Sequence, residues 1–215
     1  MRNRIKTMRI QRLSQLSALP SLVLPTLVLV CLALLSLPVF AQDVPEVLRP
    51  PKGAQIAIVV FEDLQCPRCG VVAPLLVKAS REYKIPLVQH DFPLPGHNWS
   101  FEAAVLARYF DTHSKEIGNA FRETVFAHQI EIIPQNLRAF AEKFAADHKI
   151  SLPFVVDPDG KLAALVTADR ELGKGLNLVQ TPTVYLVSSK KTSKPYIEVT
   201  DTDKLYALID AVKKD

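Results

Sequence analysis

The stretch that most constrains the fold joins an apolar run to two closely spaced cysteines. Residues 56–61 read Ile-Ala-Ile-Val-Val-Phe, a continuously apolar and mostly β-branched run that is typical of a strand buried on both faces. Cys66 and Cys69 follow, and residues 67–83 have the apolar spacing of a helix, with Pro67 suited to its first turn. The sequence therefore predicts a buried strand that delivers two cysteines to the start of a helix.

The spacing of Cys66 and Cys69 favours thiol–disulfide exchange. Unpaired N–H groups and the helix dipole favour a thiolate in the first turn, and a pair spaced in this way can close and reopen a small disulfide. A zinc site would need two further ligands, and the third cysteine, Cys31, lies in the N-terminal apolar segment. A purely structural disulfide would close too short a loop to stabilise the fold much. We therefore expect redox cysteines, with no metal and no cofactor.

The first 41 residues have the pattern of an export signal. Five basic side chains without an acid precede a long apolar run that ends in Val-Phe-Ala at residues 39–41, which predicts cleavage after Ala41. The apolar run is also long enough for an uncleaved membrane anchor. Residues 42–54, rich in proline, are expected to form a linker. Cleavage would leave Cys66 and Cys69 as the only cysteines, which suits an oxidising compartment such as the periplasm.

The charge balance argues against nucleic-acid binding. The chain has 26 basic and 22 acidic side chains, but five of the basic ones precede residue 42, so the remainder has a formal charge of −1. A nucleic-acid-binding domain would be expected to carry a basic stripe. The 174 residues that follow position 41 suit one domain, and we expect a monomer.

Four sequence features together resemble the DsbA-like thiol:disulfide oxidoreductases of the thioredoxin-fold superfamily. They are the cysteine motif Phe61-Glu-Asp63-Leu-Gln-Cys66-Pro-Arg-Cys69, a proline at Pro74 in the following helix, Asp91-Phe-Pro-Leu with His97 and Phe101-Glu-Ala-Ala after it, and Gln180-Thr181-Pro182 before an apolar run. The resemblance extends from about residue 56 to the C-terminus.

The fold class that the resemblance implies is α/β, a thioredoxin fold with an inserted helical subdomain. Helical spacing at residues 100–110, 115–128, 135–148 and 159–172 agrees with an insertion at about 98–178 within a domain spanning 55–215. A second buried strand is predicted at 86–92. The sheet is predicted to resume at Val179 and 183–188, and to end with 195–199 before a final helix. Pro74 is expected to kink the first helix, although an interior proline can also end one.

The two cysteines are expected to divide the chemistry between them. Cys66, at the helix start, would exchange with substrate, and Cys69, one turn further in, would resolve the mixed disulfide. Arg68 adds a positive charge that would favour the Cys66 thiolate if its side chain turns that way. Many relatives carry a buried acid six residues before the first cysteine, where this chain has Val60; strand alternation makes Glu62 the better candidate for that role.

The resemblance also implies a substrate site and partners. The bond before Pro182 would be cis, and the backbone of Thr181 would hold an extended substrate chain. We expect an exported enzyme that introduces disulfide bonds into reduced exported proteins and is reoxidised by a quinone-linked membrane oxidoreductase. A disulfide isomerase or reductase of the same fold, or a non-catalytic thioredoxin-fold binding module, remains open at this stage.

Overall fold

The computed structural model describes residues 44–190 and 194–214. The predicted signal peptide or anchor, and Cys31 within it, lie outside the described residues. Within the two described ranges, no helix combines the length and the apolar character needed to cross a membrane.

Strands and helices follow one another in nearly the predicted order. Along the described residues they are β1 Ile56–Glu62, α1 Pro67–Tyr83, β2 Leu87–Asp91, α2 Ser100–Asp111, α3 Lys115–Ala127, α4 Leu137–Asp147, α5 Lys161–Gly175, β3 Thr183–Ser188, β4 Tyr196–Glu198 and α6 Leu205–Lys214. Helix α1 has the bounds that its apolar spacing predicts. It continues through Pro74, so the proline does not end the helix.

The four strands form one sheet in the order β2-β1-β3-β4. β1 pairs in parallel with β2 and antiparallel with β3, and β3 pairs antiparallel with β4. All seven residues of β1 are buried, which confirms the predicted two-sided burial. Ile58 and Val60 pack with apolar side chains of α1 and α6 on one face, whereas Val59 and Phe61 belong to the core of the opposite face.

Helices α2 to α5 are inserted between β2 and β3, and α2, α3 and α4 share a core of their own. Phe110, Phe121 and Phe144 lie at its centre, with ring centroids 4.6–5.2 Å apart. The three aromatic side chains come from three different helices. Mutual burial of these large apolar side chains therefore packs α2, α3 and α4 together.

Two strand predictions are wrong in detail. β2 was expected to be buried, but it is an edge strand, and residues 87–90 are only partly buried. Val179 was expected to resume the sheet, but it lies before β3 and its side chain is 86% exposed. An apolar run does not reveal whether a strand is central or at an edge, since that depends on its neighbours in the sheet.

Part of the segment expected to be a linker packs against the sheet. A short 3-10 helix spans Glu46–Leu48, and Leu48 is buried among core residues beside β1 and β3. Val44 and Val47 contact the same cluster. Burial of these three apolar side chains ties the start of the described chain to the domain.

Candidate active site

The two cysteines stand at the start of α1, as the strand–helix pattern predicts. Cys66 is the residue that caps the helix N-terminus, and Pro67 occupies its first turn. Both cysteines are free thiols; Cys66 is 7% exposed and Cys69 is 1% exposed. The difference leaves Cys66 as the sulfur nearer to solvent.

Hydrogen bonding stabilises the Cys66 thiolate. A hydrogen bond from the Cys69 thiol, together with weaker ones from the backbone N–H groups of Cys69 and Arg68, lowers the pKa of Cys66 to about 5 against the opposing effect of burial. The sequence pointed to the helix start and the Arg68 guanidinium; the partner thiol is instead the largest contributor, and Arg68 contributes through its backbone.

Cys69 is held in the opposite protonation state. Its hydrogen bond to Cys66 raises the pKa of the Cys69 thiol, and burial and the negative charge of Glu62 raise it further. The backbone N–H of Asp63 donates to Cys69 Sγ at 3.4 Å and lowers the pKa only in part. At neutral pH the reduced site therefore contains one thiolate, on Cys66, and one thiol, on Cys69.

Glu62 lies at the end of β1 with its side chain buried. The residue is 3% exposed, and Gln89 Nε2 donates to its Oε1 at 3.0 Å. Burial, with a smaller contribution from the charge of Asp91, raises the pKa of Glu62 to about 7. The positive charge of Arg122 opposes this shift. A carboxyl with a pKa near neutral can both release and accept a proton under physiological conditions.

The buried ion cluster around Asp91 was not foreseen from the sequence. Arg108 hydrogen bonds to both Asp91 and Asp169, and Arg122 makes two bonds of 3.0 and 3.1 Å to Asp111. These side chains come from β2, α2, α3 and α5, so the cluster joins the sheet to the inserted helices. Charged residues on amphipathic helices ordinarily indicate solvated faces, and their sequence spacing gives no sign of pairing across elements.

Asp63 fixes the loop that carries Cys66. Its buried carboxylate accepts hydrogen bonds from the backbone N–H groups of Gln65 and Leu94 at 2.8 and 2.7 Å, and from the Ser100 hydroxyl. His97 Nδ1 lies 2.6 Å from the same carboxylate. The sequence identified Asp63 only as part of a motif and assigned no role to His97; their pairing requires the fold to bring the two loops together.

We expect Asp63→Asn to destabilise the protein by about 2 kcal/mol. Asparagine replaces one carboxylate oxygen by an NH2 group, which cannot accept the hydrogen bonds that this oxygen receives in the native protein. Denaturant unfolding of the reduced protein measures the loss. Asp157→Asn is the matched control: Asp157 also accepts two backbone N–H bonds, but just before α5 and with only partial burial, so its loss should be smaller. Equal losses in the two variants would contradict this explanation.

Thr181 and Pro182 lie beside Cys66, although more than 110 residues separate them in sequence. The Thr181–Pro182 bond is cis, as expected, and Cys66 Sγ lies 3.3 Å from the Thr181 carbonyl oxygen, which accepts a hydrogen bond only from the protonated thiol. A cleft of about 250 Å³ adjoins them, and its walls include Arg68 and Glu198. The exposed Arg68 side chain thus lines this cleft.

Histidine, cysteine and acidic side chains do not form a group of three or more that could hold a metal ion anywhere in residues 44–190 and 194–214.

A thioredoxin fold with a reduced cysteine pair at the start of its first helix is the class that fold and site define. A family profile described as thioredoxin matches residues 51–211, and the chain belongs to this family. No curated protein sequence matches the chain.

Several solved structures share the fold. The chain is similar to Wolbachia pipientis alpha-DsbA1, with a TM-score of 0.61 and 17% identity over 79% of this chain and 92% of that chain. Pseudomonas aeruginosa DsbA2 has a TM-score of 0.54 and 18% identity, covering 75% and 91% of the two chains. For Proteus mirabilis ScsC in a transitional conformation the values are 0.58, 18%, 77% and 72%. The DsbA-like fold with its helical insertion is thereby confirmed.

Proposed function

We propose that the protein is an exported thiol:disulfide oxidoreductase that introduces disulfide bonds into reduced proteins through Cys66 and Cys69. The observation that carries this proposal is the unequal pair: the Cys66 pKa is lowered to about 5, while the Cys69 pKa is raised. A stabilised thiolate favours the reduced form of the pair, so its disulfide is a strong oxidant.

In the proposed reaction, a substrate thiolate attacks Cys66 Sγ of the Cys66–Cys69 disulfide. The sulfur–sulfur bond breaks, Cys69 leaves with the electron pair and takes up a proton, and a mixed disulfide joins Cys66 to the substrate. A second substrate thiolate then attacks the substrate sulfur, and Cys66 leaves as a thiolate. The substrate loses two electrons and the cysteine pair gains them. The low pKa of Cys66 makes it a good leaving group in this last step.

Glu62 is proposed to exchange the proton of Cys69. The burial of its carboxyl, and the effect of its charge in raising the pKa of Cys69, support this role. With a pKa of about 7, Glu62 can supply a proton as Cys69 leaves and take one back when the disulfide reforms. Proton transfer at this position avoids leaving two anions in a buried site.

The cleft beside Thr181 and Pro182 is proposed to hold the substrate chain. Thr181 offers its backbone next to Cys66, and Arg68 and Glu198 line the adjoining cleft. An extended chain that pairs with backbone at this position would bring a cysteine to Cys66 largely independently of its sequence.

Export and reoxidation complete the proposal. The basic and apolar N-terminus supports export, and an oxidising compartment keeps disulfides formed. The electrons received from substrate must leave the site before another cycle. We propose a quinone-linked membrane oxidoreductase as their acceptor.

Titration of the reduced protein tests the observation on which the proposal rests. We expect thiolate absorbance to reveal a Cys66 pKa of about 5, well below the free-thiol range. In parallel, the disulfide form should oxidise a reduced unfolded protein stoichiometrically. An ordinary thiol pKa together with no loss of substrate thiols would reject the oxidase function and leave a binding module.

A further inference from the structure

One side chain of the inserted helices contacts the backbone of the cysteine loop. Gln129 follows the end of α3, and its Nε2 donates to the carbonyl oxygen of Leu64 at 2.8 Å and to that of Cys66 at 3.0 Å. These two carbonyls belong to the Leu64–Gln65 and Cys66–Pro67 peptide groups. One amide group therefore ties the loop that leads into α1 to a part of the chain more than 60 residues away.

Gly70 provides the space that this amide occupies. A Cβ atom at Gly70 would lie 2.6 Å from Gln129 Oε1, closer than real Cβ atoms approach an oxygen. Gly70 lies in α1 and its own N–H donates to the Cys66 carbonyl oxygen at 3.2 Å. The absence of a side chain at Gly70 thus leaves the space in which the Gln129 amide bonds to the Cys66 carbonyl.

We infer that Gln129 is a positioning residue for the Cys66 thiolate, holding the peptide groups at Leu64 and Cys66 so that the helix start faces the sulfur. The inference rests on the proposed dithiol function and deepens it. The backbone N–H groups of Arg68 and Cys69, which favour the thiolate, belong to the turn that begins at the Cys66 carbonyl. If the Gln129 bond is lost, only the Gly70 N–H still holds the Cys66 carbonyl, and the position of these donors relative to the sulfur is less well fixed.

The first test replaces Gln129 with alanine or glutamate in the full chain. We expect Gln129→Ala to raise the Cys66 pKa by about half a unit or more, because donors to the thiolate become less well aligned. Gln129→Glu should raise it further, since it substitutes an anion for both N–H donors. Ile130→Ala is the matched control; that neighbouring side chain is 97% exposed and should leave the pKa unchanged.

The second test uses Gly70→Ala in two backgrounds. In the native background the added methyl group should displace the Gln129 amide and raise the Cys66 pKa as Gln129→Ala does. In the Gln129→Ala background the space is vacant, so Gly70→Ala should have no further effect on the pKa and should favour the helix. Equal pKa increases in both backgrounds would overturn the inference that the two residues act together.

The outcomes separate this inference from the proposed function. An ordinary Cys66 pKa in the native protein, together with no oxidation of substrate thiols, would remove the proposed function itself. A low native pKa that Gln129→Ala and Gln129→Glu leave unchanged would overturn the role of Gln129 alone. Circular dichroism of each variant establishes that the titrated protein is folded. If Gln129→Ala does not fold, Gly70→Ala in the native background still tests displacement of the amide.

Discussion

Glu62→Gln is expected to stabilise the reduced protein by about 3 kcal/mol above pH 7, and to leave its stability unchanged in acid. Burial raises the pKa of Glu62 from 4.5 to about 7 in the folded protein. Glutamine keeps an oxygen that can accept from Gln89, and it carries no charge that must be desolvated. Denaturant unfolding of both proteins across this pH range measures the difference.

The sign of the effect follows from proton binding. Below pH 4.5 the carboxyl is protonated in both the folded and the unfolded chain, so it adds no pH dependence. As the pH rises toward 7, the unfolded chain releases the proton while the folded chain retains it, and the folded state loses stability. Cys66 has the opposite effect, because its lowered pKa stabilises the folded protein as pH rises above 5. Both proteins contain Cys66, so their difference isolates Glu62.

Glu171→Gln is the control for this prediction. Glu171 is an exposed residue of α5 whose partner is Lys174, and its removal should not alter the pH dependence of stability. A constant difference between native protein and Glu62→Gln at all pH values would show that Glu62 does not titrate in this range. Under the proposed mechanism, the rate at which a substrate thiolate opens the Cys66–Cys69 disulfide should change near pH 7 in the native protein but not in Glu62→Gln.

The fold was predictable where the sequence pattern is local. Three predictions depend only on residues close together in sequence: the buried strand β1, the bounds of α1 and the helices of the insertion. The pattern of apolar residues also indicates which side chains of these elements are buried. The edge position of β2 was missed because it depends on which strands lie beside it. Leu48 was missed for the same reason: proline-rich surroundings indicated a linker, whereas its burial depends on the distant β1 and β3.

The site was predictable to the same extent. The cysteine spacing identified Cys66 and Cys69, and strand alternation favoured Glu62, which the structure buries. Hydrogen bonds between distant segments could not be inferred, among them those of Asp63 to Leu94 and of Gln129 to the cysteine loop. These bonds depend on tertiary placement, and a single sequence contains no periodic signal for them.

The inserted helical segment influences two residues of the candidate site, Cys66 and Glu62. Gln129 reaches the backbone beside Cys66, and Arg122, from α3, influences the pKa of Glu62 through its charge. Two of the groups whose protonation matters in the proposed reaction, Cys66 and Glu62, are therefore influenced by the insertion. Substitutions that destabilise α3 should therefore shift the pKa values of Cys66 and Glu62 even when the sheet remains folded.

The two serine variants of the cysteine pair are expected to differ completely in their trapping of substrates. Cys69→Ser should accumulate mixed disulfides, formed when the Cys66 thiolate attacks a disulfide of a substrate protein and one substrate sulfur leaves as a thiolate. The hydroxyl at position 69 cannot then attack Cys66 Sγ and release the attached chain. Cys66→Ser should trap almost none. Its remaining thiol on Cys69 is 1% exposed and has a raised pKa, so it provides neither an accessible sulfur nor a thiolate. Both variants should lose disulfide exchange to the background rate.

Non-reducing gels of cell extracts measure the trapping, and the adducts should disappear on reduction. The double serine variant is the control, since it keeps the fold and the Thr181 cleft without any thiol in the described site. Adducts that persist in the double variant would come from another cysteine. Equal trapping by the two single variants would contradict the assigned roles, because it would require Cys69 to reach substrate as readily as Cys66 does despite its burial.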